Sequence, residues 1–197
     1  MENKGKKSKG DSFERQIAKE IGLWWEGDGT AFWRTSGSGA RARRVDIHPG
    51  DIGPIKNLSR RFPFCVECRA REVWDLDRIL WAQKPEPLVW FAENSRVAGD
   101  QYLSLLIAKK NFRTPVAVFP SWGISGGLLS DHSVPGPMLY VVLNSIRILS
   151  VVPLSTFFDT YKPSLFSDTS PQSQLFLDLK QQERRAVSYI ERYLNSS

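Results

Sequence analysis

Apolar residues recur at helical spacing through Phe13, Ile17, Ala18, Ile21 and Trp24 or Trp25, with charge between them. Asp11 or Ser12 can cap the helix that this predicts. Residues 1–10 lack the period and are expected to form a mobile basic arm. From Gly27 to Gly53 short apolar pieces alternate with Gly, Ser and Arg. They predict a strand over Ala31–Thr35, a loop over Ser36–Arg44 and a second strand near Val45–Ile52. Residues 63–70 predict a central strand, followed by a short helix around Asp75–Gln83 and a longer one over Pro87–Gly99. The apolar runs Tyr102–Ala108 and Pro115–Phe119 flank a basic turn, Lys109–Arg113, at hairpin spacing. Leu139–Leu143 and Arg147–Val152 make a further pair of strands. Between the pairs, Ser121–Met138 is rich in Gly, Ser and Pro and too long for a simple connection, so it is an insertion, a lid or a disordered loop. After a polar stretch near 163–172, the residues Leu175, Leu179, Ala186, Ile190 and Leu194 predict a C-terminal amphipathic helix, more naturally packed on its own domain than in a dimer seam.

The chain has 197 residues, 41% hydrophobic, which suffices to bury a core without disulfide or metal staples. No run reaches the roughly 18–20 apolar residues of a membrane span, and the N-terminus has no apolar signal core, so an intracellular, cytoplasmic protein is expected. The only two cysteines, Cys65 and Cys68, fall three apart in one predicted strand, so their side chains point to opposite faces and cannot easily pair. The net charge of +6 is local. It gathers in residues 1–50, with Lys4, Lys6, Lys7, Lys9, Arg34, Arg41, Arg43 and Arg44, and in the Lys109–Arg113 turn; both could meet phosphates.

Candidate chemistry centres on the strand at 63–70. Glu67 and Arg69 are two apart and share one face, while Val66 and Cys68 share the other. With Asp51 at the end of the preceding strand, they offer two hard oxygen ligands for Mg²⁺ and a cation beside them, enough for metal-assisted phosphodiester hydrolysis. An acid-x-base pair also arises as an ordinary cross-strand salt bridge, and spacing alone favours that reading. Glu14 completes a capping box with Asp11. It also lies on the stripe of Ile17, Ala18, Ile21 and Trp25, where a buried carboxylate needs a cationic or metal partner. Asp46 could replace Asp51 as ligand, and His48 between them reads as a bystander.

The runs Lys9–Arg15, Phe32–Gly39, Gly50-Asp51-Ile52 and Phe64–Arg69 together resemble archaeal and phage Holliday junction resolvases of the PD-(D/E)XK nuclease superfamily. The four motifs span residues 9–70 in the right order, with 87–119 resembling the later part of the same domain and 121–197 matching less well. The resemblance implies an α/β fold, a restriction-endonuclease-like mixed sheet flanked by helices. On it the chain divides into the arm 1–10, a nuclease-like domain over 11–160, and a linker with C-terminal helix over 161–197. It implies one or two Mg²⁺ ions, replaceable by Mn²⁺, and a homodimer acting on branched DNA in a bacterial or archaeal host, with phage origin suggested. Carried over, Asp51 and Glu67 are metal ligands, Glu14 joins the site through water or metal, and Arg69 stands at the position of the motif lysine. Asp51 is preferred to Asp46 because Gly50-Asp51-Ile52 fits the motif more closely. Arg15 and Arg34 are implied near the scissile strand, and Ser36 and Ser38 as hydrogen-bond donors to phosphate, with Arg41, Arg43 and Arg44 as further DNA contacts. Arginine holds its proton at any workable pH, so a general-base role is lost at Arg69 while orienting water or screening charge is kept. The alternatives are a catalytically weakened or inactive DNA-binding protein on the same scaffold, and a same-fold nuclease acting on linear or single-stranded DNA.

Overall fold

The computed structural model describes residues 3–35, 48–55, 57–76, 84–121, 137–143, 145–166 and 169–196, with side chains from Gly10 onward. The first helix, α1 (Asn3–Glu26), buries Phe13, Ile17, Ala18, Ile21 and Trp25, the stripe seen in the sequence. It starts about two turns before the expected Asp11, because a formed helix propagates cheaply into a lysine-rich segment. Asp11 is therefore interior to the helix and caps nothing. Gly27, at φ 71°, stops the helix, and its N–H closes on the Leu23 carbonyl at 3.1 Å.

Two short strands follow, β1 (Phe32–Arg34) and β2 (Ile52–Pro54), paired antiparallel. The expected hairpin exists, with its second strand later than expected; of the 45–52 span, 45–47 lie outside the described residues. Next come β3 (Phe64–Arg71), α2 (Glu86–Ala98) and β4 (Leu103–Lys110), in which β3 and β4 run parallel across the helix. Proline inside its first turn starts α2, and Gly99 at φ 54° ends it. The helix expected at 75–83 falls mostly outside the described residues, as does 122–136 of the expected insertion.

β5 (Val116–Pro120), β6 (Leu139–Leu143) and β7 (Ile146–Pro153) complete a five-stranded mixed sheet in the order β3-β4-β5-β7-β6. β3 lies at the edge of this sheet, not at its centre. Its apolar run reflects burial on both faces by helices, which edge and central strands share. A short helix, α3 (Leu154–Thr160), not expected from the sequence, turns Leu154 and Phe157 into the core directly after β7.

The C-terminal helix α4 (Gln174–Ser196) packs on the sheet beside α2. Alternating strand residues divide the core: Leu103, Leu105, Ile107, Ala117 and Phe119 face α1 and α3, whereas Leu106 and Val118 face α2 and α4. The result is an α/β fold with helices on both faces of one mixed sheet. Among the described residues no helix is long and apolar enough to cross a membrane.

Candidate active site

The site forms on the free edge of β3. Alternation sends Phe64, Val66 and Cys68 into the core under α1, and turns Cys65, Glu67 and Arg69 the other way. Gly50 pairs with Val66 as an isolated parallel bridge on that edge. Its φ is 87°, and a Cβ there would stand 2.5 Å from the Val66 carbonyl oxygen, so only glycine lets the chain approach this closely. The next residue is Asp51. Its N–H donates to the Val66 carbonyl at 2.7 Å, and its Oδ2 accepts the Cys68 N–H at 2.8 Å. Main chain and carboxylate thus grip β3 on either side of Glu67.

Thr35, just past β1, braces this arrangement. Its N–H donates to the Asp51 carbonyl at 2.7 Å and its hydroxyl donates to the Gly50 carbonyl. Arg34, one residue earlier, reaches α1: Nε donates to Glu14 Oε2 at 2.9 Å and Nη2 to Asp11 Oδ1 at 2.8 Å. These carboxylates, Asp11 foremost, raise the Arg34 pKa and keep it charged. On β3, Arg69 Nη2 pairs with Glu67 Oε1 at 2.6 Å.

The acids feel one another. Burial pushes the Asp51 carboxyl up, opposed by the Cys68 N–H and reinforced by the charge of Glu14. Glu67 is pushed up to about 7, first by burial and then by the Asp51 charge, with Arg69 opposing. Repulsion between half-buried oxygens is what a hard divalent cation would relieve, so Asp51 and Glu67 are the residues that could hold one. The described residues nevertheless contain no ready cluster of three or more His, Cys, Asp or Glu side chains around one metal position. Glu14 and Glu67 have arginine partners, so either carboxylate reaches a metal by giving up some of that pairing.

Of the residues expected here, Glu14, Arg34, Asp51, Glu67 and Arg69 form one coupled set. Arg15 is exposed and tied to none of them by a hydrogen bond or ion pair among the described residues. Ser36, Ser38, Arg41, Arg43, Arg44 and Asp46 lie outside the described residues. His48 is buried against Tyr102 at 4.6 Å between ring centroids, and its Nδ1 lies 3.0 Å from the Pro49 carbonyl. Burial depresses its pKa. Both thiols are free and buried, on opposite faces as expected, and burial holds Cys65 up at about 12 and raises Cys68 well above the ordinary thiol value. Neither is a nucleophile.

A family model described as "Phage putative PDDEXK endonuclease" matches residues 5–145, most of the chain and every element of the site. The chain belongs to this family. Neither a curated protein nor a solved structure gives a match. Membership makes it a nuclease of the PD-(D/E)XK superfamily, a hydrolase of nucleic acid, and the mixed sheet flanked by helices agrees with the restriction-endonuclease-like fold.

Several residues at and behind the site escaped the sequence reading. Asp11 pairs with Arg34, and its signal was hidden by the capping pattern that also explains an acid at that position. Behind β3, buried Asn94 donates to the Cys65 carbonyl at 3.0 Å and to Ser104 Oγ at 2.8 Å. Deeper still, Glu183 of α4 accepts the Ser104 N–H at 2.9 Å and pairs with Lys180 at 2.6 Å, both side chains almost wholly buried. Glu183 falls four residues after Leu179 and three before Ala186, on the apolar stripe of α4, and that placement was the available signal.

Proposed function

We propose that the chain is a Mg²⁺-dependent endonuclease that cuts branched DNA, with Asp51 and Glu67 as metal ligands and Glu14 as a third acid engaged through water or metal. The observation that carries this reading is the grip of Asp51 on β3, main chain to Val66 and carboxylate to Cys68, which fixes its carboxylate on the strand that carries Glu67, where its charge raises the Glu67 pKa. A divalent ion held there supplies Lewis acidity at the phosphate. The chain's own groups do the remainder. Arg69 stays cationic, screens the charge that develops on the phosphoryl oxygens, and orients the attacking water without removing its proton. Arg34, paired with Glu14 and Asp11, is proposed to exchange a carboxylate for a phosphate oxygen of the scissile strand. The serines and arginines of 36–44 are proposed as further phosphate contacts, and a homodimer as the form that meets two strands of a junction.

A second reading is favoured by one contact: the Arg69–Glu67 pair at 2.6 Å competes for an oxygen that a metal would need. On that reading the protein binds branched DNA and turns over weakly. Incubation of a labelled four-way junction, a linear duplex and a single strand with Mg²⁺ or Mn²⁺ separates the two. Junction cleavage abolished by Asp51→Ala is expected; tight binding with no cleavage under either metal would overturn the nuclease assignment.

A further inference from the structure

The turn between β4 and β5 has a construction that the metal site does not explain. The Arg113 N–H closes it on the Lys110 carbonyl at 3.1 Å, and Phe112 at its tip adopts φ 58°. This left-handed region suits Gly or Asn, and a bulky aromatic there is strained. The Phe112 side chain is also fully exposed, at 102%, so no burial offsets the strain. Two unfavourable features at one tip point to use by a ligand rather than to packing.

The ligand's chemistry follows from the neighbours. Lys109, Lys110 and Arg113 flank the ring, and Arg71 lies beside Lys110 in the β3–β4 register. Lys110 is paired with Asp75 at 2.5 Å, while Arg71 and Arg113 have no ion pair among the described residues. The turn also adjoins the site. Glu67 pairs in register with Leu106 and Arg71 with Lys110, so the end of β4 lies about 13 Å beyond Glu67 at roughly 3.3 Å per residue. Lys109 Nζ stands 5.8 Å from the centroid of the Phe13 ring, next to Glu14.

We propose that Phe112 is a stacking wedge. Its ring inserts against a nucleobase where the helical stack of DNA is interrupted, while Lys109, Lys110, Arg113 and Arg71 hold the flanking phosphates. Aromatic side chains stack on any exposed base face, and apolar wedges enter where unstacking is cheap. The preferred substrate class is therefore DNA with a branch point, not continuous duplex. This inference rests on the nuclease reading above and specifies its substrate.

The test uses full-length Asp51→Ala protein, expected to bind without cutting, and compares its affinity for a four-way junction with that for a linear duplex of equal length. Adding Phe112→Ala is expected to lower the junction-over-duplex ratio about five- to a hundredfold. Phe112→Trp should keep the ratio. Because the wedge carries no charge, Phe112→Ala should leave the slope of log affinity against log salt unaltered, whereas Arg113→Ala should reduce it by about one. An unchanged ratio in Phe112→Ala, or a loss equally large in Phe112→Trp, would overturn the proposal, as would absence of DNA binding. Junction binding that depends on Phe112, with no cleavage by the parent protein, would keep the wedge and remove the nuclease. Cleavage with junction preference indifferent to Phe112 would do the reverse.

Discussion

Asp51 holds Cys68 by a 2.8 Å hydrogen bond from the strand's N–H to its Oδ2, across the residue that carries the second carboxylate of the site. The carboxyl group is thus bound to the same strand as Glu67 and cannot turn away without giving up that bond. Asp51→Ala is expected to reduce Mg²⁺-dependent cleavage by well over about a hundredfold, more than the loss usual for a residue that only supports a ligand. Mg²⁺ should raise the melting temperature of the parent protein, since a ligand that binds only the native state stabilises it, and Asp51→Ala should abolish that rise. Parallel cleavage assays and thermal melts in Mg²⁺ and in chelator check both.

Glu67 makes stability depend on pH in a definite direction. Its folded pKa of about 7 lies above the ordinary 4.5, so the native state holds this proton more tightly than the unfolded chain does. The stabilisation it contributes is complete below about 4.5 and is lost as pH rises through about 7. Asp51, also raised, acts in the same sense, whereas buried His48, lowered, contributes stability that is lost as pH falls. The diagnostic quantity is therefore the difference between parent and Glu67→Gln. In metal-free buffer, melting temperatures between pH 5 and pH 8 should show the parent falling relative to Glu67→Gln, and equal slopes would contradict this assignment.

Arg69 keeps the Glu67 pKa lower than burial and Asp51 alone would set it. Arg69→Gln is expected to shift the acid limb of the cleavage pH profile upward and to lower kcat/KM about tenfold or more at pH 8, the scale of a charge-assisted hydrogen bond. Arg69→Lys retains the charge and should stay within about tenfold of the parent, because the role given to Arg69 needs a cation and not a base. A much larger gain in Arg69→Lys would identify the arginine as a weakening replacement. Steady-state rates across pH 6–9 decide between these outcomes.

Glu183 and Lys180 lie far from solvent, and each satisfies the other's charge. Glu183→Ala leaves Lys180 buried without its partner and the Ser104 N–H without its acceptor, so a loss of about 3–5 kcal/mol is expected. The double replacement Lys180→Met with Glu183→Leu removes both charges and should cost markedly less. Urea unfolding of the three proteins measures the difference, and an additive double mutant would show that the pair is not coupled.

Sequence periodicity located most elements because burial imposes it residue by residue. Ile17 and Ile21 mark α1, the apolar run Tyr102–Ala108 marks β4, and Gly99 ends α2. Where burial and local propensity disagree, the pattern misleads. The stretch 63–70 suggested a central strand, yet β3 is an edge, because flanking helices cover its faces and the register of partners leaves no trace in its own residues. α3 is too short for a period to emerge.

Acidic residues Glu14, Asp51 and Glu67 were legible as a chemical set from motif order, and the shared face of Glu67 and Arg69 from strand alternation, whereas the ion pair that binds Arg34 to Asp11 was not. Composition and spacing act along the chain, so they disclose helices, strands and the kind of group each position offers. Distances between groups that are remote in sequence arise from packing and strand register. That is why the closeness of Asp51 to Glu67, the burial of Glu183 against Lys180 and the bare ring of Phe112 beside four cations emerged only when the sheet was assembled.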